Sequence, residues 1–473
     1  MGKGNDMGND KGNGKTFERL SVEDQLFVRL DSRQMPMTIA MLATFDAEGG
    51  DFDAMVAAIN RRLHLVPRYR QKLIDTPWGL GRQVWVDDPE FDLAFHVRHV
   101  ALPQPGGREE LLTFVSRIFS HPLDFDRPLW EMWIIDLPDG RKALFHKSHH
   151  AVADGVSALD IATVLFDRTR EPTEEHEAPP WQPRPLPGRV DLLLDSAATN
   201  LRTPLDMAGK LWRLARRPSE AAHGGAHAAH GIESFLAASL PPTTTTSLDQ
   251  HIRDPHRRLD VVSGSLSGAR AAKRRQRATV NDVALAATAG GLGKLLRSRG
   301  EDTDGLIVRT VIPVSTRSDD QHFQYGNMIA AMVAELPVGE LDPWKRLSLV
   351  RQSTQAAKVG RQPTGVDFVA QVGELAPASL ISIAGRVATR QPMYSLVVTN
   401  IPGPRHPLYW AGHKLCDAYF FGPNLIERTD LAVAILSYNG ELNFGLTADR
   451  DVVPDLSVVA EGIAESLAEY ASA

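Results

Sequence analysis

The chain has a single cysteine, Cys416, among 473 residues. A lone thiol closes no intramolecular disulfide, which excludes a disulfide-built scaffold and fits a reducing compartment. No apolar run reaches the roughly 18 residues that mark a membrane-spanning helix. Excess positive charge is missing too. Lys and Arg number 52 against 58 Asp and Glu, a formal net charge of -6, so nucleic acid is not an expected partner. The opening stretch MGKGNDMGNDKGNGK contains no apolar signal-peptide core, and Asp6 stands where a myristoylation motif needs Ser or Thr. It reads as a disordered tail over residues 1–16. The expectation is a cytoplasmic protein, soluble or peripheral at a membrane. Neither a GxSxG nucleophile elbow nor an HExxH zinc motif occurs, and no fixed-period repeat is visible.

What is present has the composition of a globular protein, 43% hydrophobic and 23% charged. The length exceeds what one hydrophobic core serves, so two domains are expected. Residues 17–185 mix helical and strand patterns. Ser21 is set to cap a helix in LSVEDQLFVRLD. TIAMLATFD reads as a strand, DFDAMVAAINRRLHLVPRYRQKL as an amphipathic helix ended or kinked at Pro67, and QVWVDDPEFDLAFHVRHVAL as strand material. REELLTFVSRIFSHPL reads as a helix, and PLWEMWIIDLPDGRKALFHKSHH as a hairpin turning at Pro138-Asp139-Gly140. Composition changes near residue 171, at the proline-rich EPTEEHEAPPWQPRPLPG, and residues 186–250 read as a crossover with a helical segment. Residues 251–473 form a second mixed half. They include the small-residue helix ATVNDVALAATAGGLGKLLRSRG, the buried strand YSLVVTNIPGP, and a hairpin whose Asn439-Gly440 pair fits a type I′ turn. The class is α/β or α+β.

The chemistry concentrates in HKSHHAVADG at residues 146–155. His149 and His150 end an apolar strand, and strand alternation sends them to opposite faces, so one of them faces any given cleft. Asp154 lies four residues further on, and Gly155 permits a tight backbone approach. These residues suit a general base with an orienting carboxylate, and equally a polar, satisfied loop at a strand end. A metal site at His146, His149 and His150, or at His223, His227 and His230, is a weaker alternative without cysteine partners. No metal and no cofactor is expected.

HHAVADG matches the HHxxxDG motif of the acyl-CoA-dependent acyltransferase superfamily. The remaining motifs are PLW at 128–130, Asn281-Asp282, PVSTR at 313–317, GN at 326–327 and TNIPGP at 399–404. With these, the chain resembles the bacterial wax ester synthase/diacylglycerol acyltransferase family from about residue 17 to 470. Thr399 and Ile401 replace the commoner Ser and Val. The resemblance implies two chloramphenicol-acetyltransferase-like α/β domains with the active-site channel at their interface. It implies acyl-CoA as donor and a fatty alcohol or diacylglycerol as acceptor. His150 would be the base, His149 its neighbour in the motif, and Asp154 a structural carboxylate that holds the loop. Asn281 would make a polar contact with substrate or cap the helix it opens, with Asp282 and Gly155 beside the substrate. Arg274 and Arg275, in ARAAKRRQRATVND, would attract the CoA phosphates or form a solvated helix face. The segment 206–217, with Leu211, Trp212 and Leu214 among Lys210, Arg213, Arg216 and Arg217, would lie on a membrane or lipid-droplet surface, or pack on the enzyme. The alternatives are a carrier-protein-dependent transferase of the condensation type and a catalytically silent lipid-droplet scaffold.

Overall fold

The computed structural model describes residues 16–79, 81–152, 164–171, 178–198, 246–250, 254–315, 329–359, 394–423 and 429–472. The first half contributes β1 (Phe17–Arg19), α1 (Val22–Leu30), β2 (Thr38–Phe45), α2 (Phe52–Arg62), β3 (Gln71–Ile74), β4 (Val84–Asp87), α3 (Leu93–His96), β5 (Val97–Ala101), α4 (Arg108–Ser120), β6 (Trp130–Asp136) and β7 (Lys142–His149). The second half begins with β8 (Arg257–Ser265), α5 (Leu266–Gln276), α6 (Val280–Ser298), β9 (Ile307–Ser315), β10 (Ile329–Pro337) and α7 (Pro343–Val359). It continues with β11 (Leu396–Pro402), β12 (Tyr409–Trp410), β13 (His413–Phe421), β14 (Leu431–Tyr438), β15 (Glu441–Asp449) and α8 (Leu456–Ala471).

Local chemistry sets the element ends. Ser21 accepts the Asp24 N–H at 2.9 Å and starts α1. Thr279 and Asp282 form the reciprocal capping box that starts α6. Asn439 and Gly440 both take positive φ, 44° and 96°, as the tight turn between β14 and β15 requires. Two patterns differ from expectation. The helix expected around Pro67 stops at Arg62 and gives way to two 3-10 turns and then β3. Proline supplies no N–H to continue the helical ladder. The alternating stretch before residue 101 is not one strand, because Asp92 caps the short helix α3 between β4 and β5.

Two six-stranded sheets form the core, in the orders β12-β13-β2-β7-β6-β5 and β10-β9-β11-β14-β15-β8. A three-stranded sheet, β1-β4-β3, lies beside them. The first large sheet is not built from the first half alone. β13 crosses over and pairs antiparallel with β2, Tyr419 opposite Leu42 and Phe420 opposite Met41. The sequence division at 251 therefore does not coincide with the sheets. α4 of the first half covers the free edge of β8. Ser120 Oγ accepts the Arg257 N–H at 2.8 Å and Ser116 Oγ accepts the Leu259 N–H at 3.0 Å. The small residues of α6 let α8 approach closely. A side-chain carbon on Gly291 would stand 2.6 Å from the Val459 carbonyl oxygen.

The crossing strand gives a direct test. A Cβ on Gly445 of β15 would lie 1.9 Å from the Phe420 carbonyl oxygen of β13. Gly445→Ala is expected to destabilise the protein by about 1–3 kcal/mol, the usual cost of overpacking, read as a lower urea midpoint. An unchanged midpoint would show that β13 yields there freely.

Candidate active site

β7 runs between β6 and β2 and ends at His149, which pairs with Thr38. His150 falls in the following turn, so strand alternation governs His149 only. The two rings part nonetheless. His149 is fully buried and stands edge-on to Phe125, with ring centroids 5.5 Å apart. His150 is 7% exposed and lies face to face on Phe27 of α1, centroids 4.1 Å apart and planes inclined by 14°.

Backbone bonds fix both residues. The His149 N–H donates to Leu129 O at 3.0 Å and the His150 N–H donates to Met37 O at 2.8 Å. The His149 Nδ1 accepts the Ala151 N–H at 3.0 Å. That nitrogen therefore carries no proton, and the ring hydrogen of the neutral imidazole sits on Nε2. Nε2 faces Asp31 Oδ2 at 3.4 Å, longer than an ordinary hydrogen bond. A cavity of about 230 Å³ opens at the next residue, Ala151, with Ser21, Asp24, Arg68 and Trp85 among its lining.

His146 does not join the pair. Its Nε2 meets the Tyr69 hydroxyl at 2.8 Å inside the core, and burial pushes its pKa down to about 4. It is neutral and structural. Among the described residues, no group of three His, Cys, Asp or Glu side chains could hold a metal ion. The PLW motif is scaffold around the same strand. Leu129 receives the His149 N–H, while Trp130 stacks on Tyr69 and on His96 and donates its indole N–H to Tyr69 O at 2.8 Å.

In the second half, Asn281 is not the helix cap, a place Thr279 takes. Its Oδ1 accepts from Asn400 Nδ2 at 3.0 Å, which joins the ND and TNIPGP motifs. Asp282 is 2% exposed and spends both oxygens inside the protein. Oδ2 accepts the Thr279 N–H at 2.7 Å and Oδ1 accepts the Thr354 hydroxyl at 2.7 Å. Arg274 and Arg275 are exposed in the last turn of α5, where cations complement the helix dipole. The Arg275 guanidinium lies over the Trp344 ring at 4.2 Å.

Asp154, Gly155, Thr316, Arg317, the GN pair at 326–327, the segment 206–217, the histidines at 223, 227 and 230, and the amino-terminal tail lie outside the described residues. Phe27, Asp31 and Met37 belong to none of the sequence motifs, and Asn400 enters only as part of TNIPGP. Asp31 carries one legible signal, as the residue that follows the last turn of a capped helix. The stacking of Phe27 on His150 has none, because it depends on tertiary placement.

Two mixed sheets, one completed by a strand from the other half of the chain, with a histidine pair at the end of a central strand, define a chloramphenicol-acetyltransferase-like protein. The catalytic-domain profile of the wax ester synthase/diacylglycerol acyltransferases matches residues 20–284 and their C-terminal-domain profile matches residues 325–471. The chain belongs to this family of acyl-CoA acyltransferases. It is 32% identical over 468 residues to a probable diacylglycerol O-acyltransferase of Mycobacterium tuberculosis, covering 96% of this chain and 95% of that one. A second relative from that species, a putative diacylglycerol O-acyltransferase, is 31% identical over 456 residues, covering 92% and 93%. Among solved structures, the wax ester synthase/diacylglycerol acyltransferase of Marinobacter aquaeolei superposes with a TM-score of 0.67 at 28% identity, covering 96% of this chain and 98% of that one. The first condensation domain of a calcium-dependent antibiotic synthetase shares the fold, with a TM-score of 0.62 at 18% identity over 97% of each chain.

The position of Asp282 yields a prediction. Asp282→Ala removes the capping box and one of the two acceptors of the Thr354 hydroxyl, leaving it Arg351 O at 3.1 Å. It is expected to cost about 1–2 kcal/mol in urea unfolding and to leave the KM for acyl-CoA unchanged. A raised KM at unchanged stability would place Asp282 on substrate instead.

Proposed function

We propose that the protein transfers a long-chain acyl group from acyl-CoA to the hydroxyl of a diacylglycerol or a fatty alcohol, giving triacylglycerol or wax ester, with His150 as general base. The supporting observation is the fixed, largely buried His150 ring at the end of β7, in a chain of this family. The neutral imidazole takes the proton of the acceptor hydroxyl. The oxygen attacks the thioester carbonyl carbon, and the tetrahedral intermediate collapses with cleavage of the C–S bond. The proton then returns from His150 to the departing CoA sulfur. Both substrates meet directly, so no acyl-enzyme forms, and proximity supplies part of the acceleration.

Asn281 fits the role of oxyanion donor. Its carbonyl oxygen is turned to Asn400, which leaves its carboxamide N–H groups for a substrate oxygen. One such donor contributes on the order of 3 kcal/mol to the transition state. Asp154 holds the loop after His150, and Gly155 lets the backbone turn there. The names of the Mycobacterium tuberculosis relatives favour diacylglycerol as acceptor. Among the described residues, no helix is long and apolar enough to cross a membrane. The basic, tryptophan-bearing composition of segment 206–217 suits contact with a lipid surface.

Purified protein is incubated with palmitoyl-CoA plus hexadecanol or dioleoylglycerol in separate tubes, and CoA release is followed with a thiol reagent. Release is expected with at least one acceptor, and His150→Ala should lower kcat by about 10²–10⁴-fold, the usual worth of a positioned base. Silence in both tubes sinks the substrate assignment, and transfer indifferent to His150→Ala sinks the base.

The phosphate role is tested separately. The double change Arg274→Glu and Arg275→Glu is expected to raise the KM for palmitoyl-CoA but not for palmitoyl-N-acetylcysteamine, which has no phosphates. Unchanged KM for both donors would make these arginines a solvated helix end.

A further inference from the structure

We propose that Asp31 is a positioning residue for acyl transfer, acting through Met37 and His149 to aim the His150 ring; this rests on His150 being the base. Asp31 follows the last residue of α1, and its own N–H donates to Phe27 O at 3.0 Å. Its backbone is thus tied to the residue whose ring stacks on His150. Its side chain reaches the other way. Oδ2 accepts the Met37 N–H at 2.8 Å, six residues on, and so closes the loop that leads into β2. Inside that loop, Ser32 and Met35 exchange backbone hydrogen bonds. The carbonyl of the same Met37 accepts the His150 N–H at 2.8 Å.

The same Oδ2 atom faces His149 Nε2 at 3.4 Å. His149 in turn holds the Ala151 N–H on Nδ1. Both chain neighbours of His150 therefore depend on the orientation of one ring, and Asp31 is the acceptor towards which the Nε2 hydrogen of that ring points. Three supports of the catalytic ring converge on this residue: Phe27 through its backbone N–H, and Met37 and His149 through its carboxylate. The His149–Asp31 contact is long, as hydrogen bonds at active sites often are before substrate binds.

Asp31 acts here as an acceptor rather than as a charge. An asparagine places its carbonyl oxygen where Oδ2 stands and accepts from both N–H groups, whereas an alanine accepts from neither. In the palmitoyl-CoA assay, Asp31→Ala is expected to lower kcat by ~10–100-fold, the scale of a misplacement near 1 Å, with the KM for palmitoyl-CoA unchanged. Asp31→Asn should restore most of that loss. In a cycle with His149→Ala, the two losses should fall well short of additive, because both act on one arrangement.

Unaltered kcat in Asp31→Ala overturns the proposal. So does a KM that rises in step with the fall in kcat, or an Asp31→Asn variant as impaired as the alanine. If Asp31→Ala yields no folded protein, Asp31→Ser replaces it, since a serine hydroxyl is too short to reach both N–H groups. Asn and Ser must then differ in kcat at equal KM, and equal kcat refutes the idea. The two readings fail separately. Transfer that survives His150→Ala removes the base, whereas His150-dependent transfer that ignores Asp31→Ala removes only the positioning role.

Discussion

The pairing of β13 with β2 is the constraint on which the rest of the structure depends. β2 lies between β13 and β7, and β7 ends at the histidine pair. Without β13, β2 would be an open edge one strand from the site, with unpaired backbone groups and a weakly specified register. β13 comes from the other half of the chain, and the Thr44 hydroxyl reaches Asp417 Oδ2 at 3.0 Å across this join. The second half is braced reciprocally. Its own edge strand, β8, is covered by α4 through Ser116, Ser120 and the Arg108 side chain, which reaches the Val261 carbonyl oxygen. Each half therefore completes an edge of the other. The apolar residues of α4, β7, β8 and β13 form one cluster across this join. The halves are held by sheet hydrogen bonds and a shared core.

Burial decides how the polar groups near the site behave. Lys147, two residues before His149, is completely buried, and desolvation pushes its pKa down. Its ammonium donates to the carbonyl oxygens of Ile118 and His121 at the end of α4 and to Glu131 Oε1 at 3.1 Å. A cation at a helix C-terminus is favourably placed. A buried pair of this kind adds little net stability, but losing one partner is costly, so its effect is to fix geometry. It locks the end of α4 against β7, one turn from the segment that approaches His149. On the opposite face, Tyr69, Trp130 and His96 stack in a ladder that closes with the His146–Tyr69 hydrogen bond. The strand that presents the histidines is thereby packed rigidly on both sides.

Much of this was legible in the amino-acid order. The capped helix at Ser21, the hairpin before His149, the small-residue helix with Asn281 and the Asn439-Gly440 turn all follow from local chemistry, and the structure shows each of them. HHAVADG together with PLW, ND and TNIPGP was enough to name the family. What was not legible is long-range. Nothing in HKLCDAYFF says that it pairs with a strand more than 360 residues earlier, because a strand pattern records which face is buried and not which neighbour it pairs with. Strand alternation correctly separated His149 from His150, but for an incomplete reason, since the strand ends between them. Asn281 suits an N-cap by residue type, and only the capping box of Thr279 and Asp282 shows that it sits two residues too late.

The division between the two adjacent histidines follows from where the strand stops. His149 is the last paired residue, so its backbone belongs to the ladder and its ring must point into the packed face. There its Nδ1 is consumed by the next turn and its Nε2 is directed at Asp31. His150 is the first residue released from the ladder, yet its N–H is held by Met37 from the neighbouring strand's approach. It has the rigidity of a strand residue without the obligation to pack its ring on a neighbouring strand. That combination suits the proposed base, because a base on a free loop would sample many orientations and a base within the ladder would face only protein. One histidine is therefore committed to structure so that the next can be held in a single orientation at the strand's end, and the doubled residue in the motif reflects two environments rather than two copies of one role.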